Sequence, residues 1–278
     1  MKQLPPDGIA STRLLSEDAV SLAFYQQPSR ERTFVFQHGL GGDYQQCLEA
    51  FPDSEHWGIA SLECRAHGSS DAGDLTQISI ERYANDLIAV MQAQLAAPVA
   101  IGGISMGAAI ALRIAAIRPD LVSALVLVRP AWALAAAPAN MQPNRLVGEL
   151  IEQYPRAEAL ERFKDTDTYT SLEQTSPDNL ASLMSFFDRT DAQQFARVLQ
   201  AIANDGPNID DKLLDDWSIP TLVMATPDDL IHPPELAESL AKRLCVDSVV
   251  QLPAKYNNKP AYLQALREHL RLFLESTM

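Results

Sequence analysis

Cysteine is scarce in this chain: Cys47, Cys64 and Cys245 are the only three, odd in number and widely spaced. That pattern argues against a disulfide framework and against a CxxC metal site, and it predicts buried apolar thiols in a reducing, cytoplasmic compartment. Positive charge is also short. Lys and Arg total 22 against 36 Asp and Glu, for a net charge of −14. Such a balance disfavours nucleic acid and anionic membrane surfaces as partners, although a locally basic site can still take an acidic substrate. Long apolar runs are missing too. The opening MKQLPPDGIAST lacks the apolar centre of a signal peptide, and no stretch reaches the length of a membrane span. There is no internal repeat, P-loop, dinucleotide fingerprint or metal-ligand cluster, so neither a cofactor nor a metal is expected. Oligomeric state has no signature.

What is present is the composition of an ordinary globular protein, 278 residues with 47% hydrophobic and 21% charged. That length accommodates one large α/β domain or a domain with an insertion. TRLLSE and SLAFYQ read as two short strands joined through EDAV. Continuous apolar runs then alternate with helical patterns: RTFVFQ, WGIASLECR, VAIGGI, SALVLVRP, TLVMATP and SVVQLP as strands, with ISIERYANDLIAVMQAQL among the amphipathic helices between them. Such runs, without polar alternation, mean a mostly parallel twisted sheet of about eight strands covered by helices on both faces. Between Ala131 and Asp216 the strand signals stop. That block is helical, broken by prolines, and too long for a loop in a compact domain. The expected division is a core of residues 1–130 and 217–278 with a helical cap over 131–216. Most of the cap's aromatics, Trp132, Tyr154, Phe163, Tyr169, Phe186, Phe187 and Phe195, should pack the cap itself, and some could line a pocket.

GISMG, Gly103 to Gly107, follows a strand and opens an alanine-rich helix. In that context G-x-S-x-G reads as a nucleophile elbow: a sharp turn exposes the Ser105 hydroxyl, and side chains two residues to either side would clash. The bland alternative is a glycine-rich turn with a capping serine. The Met106 N–H would lie at a helix N-terminus, where the dipole favours an oxyanion. HGLGG, His38 to Gly42, follows another strand. Glycines there let backbone approach a ligand, and the Leu40 N–H could be the second oxyanion donor; His38 and Gly39 are expected to line the substrate site.

With both motifs in hand, the chain resembles the α/β-hydrolase superfamily in the version with a helical cap after the sixth strand. ECRAHGSSD, Glu63 to Asp71, is similar to the family's Asp-x-Arg-Gly-x-Gly-x-Ser turn, with Glu63 replacing the Asp and Ala66 a Gly. His67 within it is expected as a surface or turn residue. DDLIHPPE resembles the family's acid motif, and the register picks Asp229 over Asp228. The histidine is where the resemblance fails. In the family it follows the last strand; here that segment is LPAKYNNKPAY, with Lys255 and Tyr256 at the expected place and no histidine.

Elimination among the five histidines leaves His232, three residues past Asp229, as the candidate base. It would have to fold back to bridge Asp229 and Ser105, and a pocket-wall role competes. His269 lies inside a helix. A neutral Lys255 could serve as base only with a strongly lowered pKa, which a nearby Asp229 would oppose. Arg129 ends a strand at the same edge and could join Lys255 in recognising an anionic group, or could pair with an acidic residue; Trp132 is a further candidate substrate contact. Two function classes follow. The first is a hydrolase of small esters, thioesters, lactones or related acyl compounds, with Ser105 and an atypical or weak base. The second is a non-hydrolytic small-molecule-binding protein on the same scaffold. Serine at the nucleophile position disfavours dehalogenase chemistry.

Overall fold

The computed structural model describes residues 8–27 and 30–278. Residues 1–7 of the MKQLPPDGIAST start, whose lack of an apolar centre is noted above, lie outside the described residues. Eight strands form one sheet: β1 (Ala10–Leu15), β2 (Ser21–Gln26), β3 (Arg32–Gln37), β4 (Trp57–Leu62), β5 (Val99–Ile104), β6 (Val122–Val128), β7 (Thr221–Ala225) and β8 (Val250–Gln251). Their spatial order is β1-β2-β4-β3-β5-β6-β7-β8. β2 pairs antiparallel with β1 and with β4, and every other pairing is parallel. The apolar run SVVQLP yields only a two-residue strand, because pairing with β7 is limited to Met224–Val250 and Ala225–Gln251.

Among the described residues five α-helices flank the sheet: α1 (Tyr44–Ala50), α2 (Ile80–Gln94), α3 (Met106–Ile117), α9 (Pro234–Arg243) after β7 and α10 (Lys259–Ser276) after β8. Between β6 and β7 run five more, α4 (Gln142–Gln153), α5 (Arg156–Lys164), α6 (Asp167–Thr175), α7 (Pro177–Phe187) and α8 (Ala192–Ala203). Central strands β4 and β5 are buried along their whole length, as a sheet covered on both faces requires. On one face Phe34, Phe36, Ile59 and Val126 pack with Tyr262, Leu266 and Leu270 of α10. On the other, Val35, Ile101 and Leu127 pack with α2, α3 and α9, and this core continues into α4–α8 through Val147, Phe163, Leu183 and Phe195. Apart from Arg113, which pairs with Glu81, α3 is apolar and almost wholly buried, the pattern of a central helix. No helix of the described residues is long and apolar enough to cross a membrane.

Two thiols, Cys47 and Cys64, are buried as expected, whereas Cys245 is exposed. It sits just after α9 in the left-handed region, at φ 54. His67 is not a surface residue: it is 1% exposed, with Nδ1 2.9 Å from the Arg65 carbonyl oxygen and its ring edge-on to Phe195. The turn around it is anchored by Arg65, whose guanidinium is fully buried between Asp86 and Asp18 at 2.6–2.8 Å.

Parallel register decides what meets at the sheet's carboxyl edge. Gln37 pairs with Gly103 and Ile104 with Val128. The Ser105 N–H bonds the Val128 carbonyl at 3.0 Å, and the Arg129 N–H bonds that of Met224 at 2.7 Å. The residues just past β3, β5, β6 and β7 therefore converge where ligands bind in open α/β sheets.

Candidate active site

Ser105 takes φ 55 and ψ −111, a conformation costing an L-residue about 1–3 kcal/mol. The strain is imposed by tight apposition. A Cβ on Gly103 would stand 2.2 Å from the Gly107 carbonyl carbon, and one on Gly107 2.2 Å from the Gln37 carbonyl oxygen. Only glycine fits at either place, and the serine between them is lifted onto the half-exposed rim of the sheet.

Gly39 comes closest to it from β3. A Cβ there would lie 3.6 Å from the Ser105 Cβ, and the Gly39 N–H is held by the Gln46 Oε1 at 2.7 Å. Among the described residues, neither the Leu40 N–H nor the Met106 N–H donates to a protein acceptor. At Met106 this is the ordinary state of a first-turn amide. Gly41, at φ +78, is pressed by α7: a Cβ would fall 2.4 Å from the Phe186 ring.

The loop after β7 carries both remaining groups. His232 Nε2 lies 2.8 Å from Ser105 Oγ, and Nδ1 lies 2.8 Å from Asp229 Oδ1. The fold-back over three residues is local. Asp229 Oδ1 also accepts the His232 backbone N–H at 3.0 Å, so one carboxylate oxygen holds both ends of the histidine. Pro233 keeps the residue before it out of the helical region, and α9 begins at Pro234. With Asp229 ionised, Nδ1 carries the ring proton and the Nε2 lone pair faces the serine hydroxyl.

Asp229 Oδ2 is occupied separately. It accepts from Arg129 Nε at 2.7 Å and Thr226 Oγ1 at 3.0 Å, with Arg129 Nη2 at 2.6 Å. Burial alone would raise the Asp229 pKa, but His232 and Arg129 outweigh it and hold the carboxyl far below the ordinary range. The His232 pKa is lowered, first by burial and also by the charges of Arg129 and Lys255, against the opposing pull of Asp229. A neutral imidazole is the state that can accept a proton.

The helical segment reaches into this loop. Ser176, before α7, donates its hydroxyl to the Asp228 carbonyl and accepts the Leu230 N–H at 3.0 Å. Asn179 Oδ1 accepts the Ile231 N–H at 3.0 Å, and Asn140 Nδ2 donates to the Ile231 carbonyl at 2.7 Å. None of these residues, nor Thr226, was singled out in the sequence. Ser176-Pro177 marks a helix start, yet nothing in that dipeptide says what its hydroxyl reaches.

Three expected substrate contacts are placed otherwise. His38 is fully buried: Nε2 accepts the Cys64 N–H at 3.0 Å and Nδ1 meets the Gly39 carbonyl at 2.9 Å. Both nitrogens thus brace the turn, leaving neither for a ligand. Trp132 is 1% exposed and donates Nε1–H to the Asp205 carbonyl at 2.8 Å, so it anchors the chain leaving β6. Arg129 takes the alternative partner, an acidic residue, and that residue is Asp229. Lys255 is half-buried, makes no hydrogen bond or ion pair among the described residues, and has its pKa lowered by burial and by Arg129. His269 remains on α10, and His56 pairs with Glu31 at 3.4 Å on the surface. No group of three or more potential metal ligands stands together among the described residues.

The family described as alpha/beta hydrolase fold matches the chain over residues 32–256. The chain is 29% identical over 118 residues to a protein of Mycoplasma pneumoniae named as a candidate esterase/lipase. That match spans 41% of this chain and 43% of the relative, less than half of either. Among solved structures, a thermophilic esterase from Thermogutta terrifontis superimposes with a TM-score of 0.69 at 20% identity, covering 95% of this chain and 99% of that one. An enol-lactonase from Burkholderia xenovorans gives a TM-score of 0.69 at 20% identity, covering 95% and 100%. At such identity these likenesses concern the fold.

Proposed function

The chain belongs to the alpha/beta hydrolase fold family, and on that premise we propose that it is a serine hydrolase of small esters, thioesters, lactones or related acyl compounds. Ser105 is the nucleophile, His232 the general base and Asp229 the acid that orients it. The observation carrying this reading is the unbroken hydrogen-bonded line from Ser105 Oγ through both nitrogens of His232 to Asp229, each link 2.8 Å long. The order of roles is that of other nucleophile–base–orienter sites, which are recognised by geometry and not by sequence position.

In the first half-reaction the Ser105 oxygen attacks the substrate carbonyl as His232 Nε2 takes its proton. The negative charge forming on the carbonyl oxygen is met by the Leu40 and Met106 amides, the second strengthened by the α3 dipole. The imidazolium returns the proton to the leaving alcohol or thiol, giving an acyl-serine. Water then repeats the sequence, with His232 again as base, and releases the acid. Residues 131–216 act as a cap that closes over the serine. The esterase and lipase names among relatives, and the lactonase among structural neighbours, support acyl chemistry as the class.

The competing reading, a binding protein that has kept the scaffold, rests on the absence of a histidine from the segment directly after β8, Leu252 to Tyr262. His232 within bonding distance of Ser105 favours the hydrolase instead. The test is labelling by a fluorophosphonate probe together with turnover of a p-nitrophenyl ester series, for wild type, Ser105→Ala and His232→Gln. Labelling and turnover that vanish in Ser105→Ala and fall steeply in His232→Gln support the proposal. A wild type that neither labels nor hydrolyses any chain length refutes it.

A further inference from the structure

The acid of this site has a second partner that the proposed chemistry does not use. Arg129 ends β6 in the left-handed region, at φ 47, a conformation that an L-residue adopts at a cost. Its side chain reaches Asp229, on the loop after the neighbouring strand β7. It is 8% exposed, and its Nε and Nη2 both address the same oxygen, Oδ2, at 2.7 and 2.6 Å. Oδ1 holds His232, through ring and backbone N–H at 2.8 and 3.0 Å, and the Asn179 side chain also favours the ionised carboxylate. Arg129 Nη2 also stands 3.4 Å from His232 Nδ1. Since Nδ1 already donates to the carboxylate, that approach is a contact between two donors.

We propose that Arg129 is a positioning residue of this reaction, fixing the Asp229 carboxylate so that Oδ1 stays turned to His232 and coupling its own charge to the base. The inference rests on the serine-hydrolase reading above. A free carboxylate four residues past a strand end can rotate and present either oxygen. With Oδ2 pinned by a buried guanidinium and by Thr226, rotation breaks three contacts at once, and the imidazole keeps its tautomer and aim. The same cation opposes protonation of His232 and offsets part of the Asp229 charge. The site therefore trades some stabilisation of the imidazolium for a base that stays neutral at mildly acid pH.

The charged and titratable groups around His232 come from several elements, and each has a part in this balance. Asp229 on its own loop favours the imidazolium. Arg129 from the end of β6 and Lys255 from the loop after β8 disfavour it. Tyr262 of α10 and Asp178 of α7 act on Arg129, as Asp178 does on Lys255. Arg129 is the one cation among them in contact with both acid and base.

The test uses full-length protein carrying 13C-labelled histidine, with the His232 resonance assigned by its loss in His232→Gln. Imidazole titration and the kcat and KM of ester hydrolysis are followed in wild type, Arg129→Gln and Arg129→Lys. In Arg129→Gln the His232 midpoint should rise by about one pH unit, and kcat should fall roughly tenfold or more with KM little changed. Arg129→Lys should keep the wild-type midpoint and lose part of kcat, because one ammonium cannot reproduce a two-nitrogen hold. An unmoved midpoint with wild-type kcat in Arg129→Gln overturns the proposal. Should Arg129→Gln fail to fold, Arg129→Lys decides alone: wild-type kcat overturns it, and a lowered kcat with unchanged KM and midpoint supports it. The titration needs no turnover, so a wild type that hydrolyses nothing refutes the hydrolase reading while the His232 midpoint still reports on Arg129.

Discussion

Asp229 and His232 are three residues apart on one loop, and two hydrogen bonds to a single carboxylate oxygen join them. The arrangement makes acid and base a local unit, aimed at a serine that arrives from the far side of β6. If these two are the acid and base, as proposed, the loop after β8 need supply no catalytic group. Replacing His232 by Gln should therefore lower kcat/KM by about 10²–10⁴-fold. Lys255→Ala should stay within a few-fold if that lysine is not the base. Steady-state kinetics on both variants separates the two candidates. A Lys255→Ala loss as large as that of His232→Gln would transfer the base to Lys255.

The pH dependence has a definite sign. His232 has a folded pKa below the ordinary 6.5, set first by burial, and it works as a base only when neutral. The kcat/KM profile should therefore be flat at neutral pH and fall on the acid side with a midpoint below 6.5. The same shift contributes stability that is fully present above the unfolded value and is lost as pH falls through the folded one. A kinetic midpoint at or above 6.5 would contradict the assignment.

Asn179 tests the link between the helical segment and the loop. Asn179→Ala orphans the Ile231 amide, which is buried at the loop's centre, at a cost of about 1–3 kcal/mol. Its effect on kcat should exceed that of a core substitution with equal loss of stability, such as Leu183→Ala trimmed to match. Urea unfolding beside kcat measurements makes the comparison. Equal kcat in stability-matched variants would mean that the contact only holds the fold together.

Gly107→Ala should be damaging even though it adds a single methyl group. The new Cβ meets the Gln37 carbonyl oxygen at 2.2 Å and its carbon at 2.6 Å, and backbone cannot swing aside as a side chain can. A loss of roughly 2–4 kcal/mol is expected, with Ser105 labelling slowed beyond what unfolding accounts for. Thermal denaturation and probe kinetics read the two effects.

Away from the site, Asp86→Ala should cost about 3–5 kcal/mol, because it strips a fully buried guanidinium of its deeper partner. The remaining partner, Asp18, is held well below its ordinary pKa, first through its hydrogen bonds from Arg65. Its stabilising effect is present above the unfolded carboxyl pKa and fades as pH falls below it. Chemical denaturation at neutral and acid pH should show the Asp86→Ala penalty at pH 7.

The legible parts of this protein are those whose constraint is local. Gly103 and Gly107 announce a turn that admits no side chain, and continuous apolar strands announce a doubly covered sheet. Ala66 shows the limit of such reading: it occupies φ 61 where the resembling motif has glycine, so the strained backbone survives the loss of its usual residue. The reach of His232 was not legible, because it depends on a carboxylate oxygen accepting two donors and on Ser176 and Asn179, which are some fifty positions away in the chain. The same limit applies to Arg129. Its charge could be read, but its choice of partner follows from a backbone angle that no sequence pattern declares. His38 misled for the opposite reason: its glycine-rich neighbourhood suits a ligand, while its ring points inward to Cys64.

Because the proposed acid and base share one short loop, the segment from Pro253 to Asn258 is not called on to supply either. It contains the half-buried Lys255 and the exposed Tyr256. Lys255 is the exception within it, because its charge disfavours the imidazolium; the remaining positions can vary without removing a group of the proposed proton relay, which makes them the natural place to graft new substrate preferences.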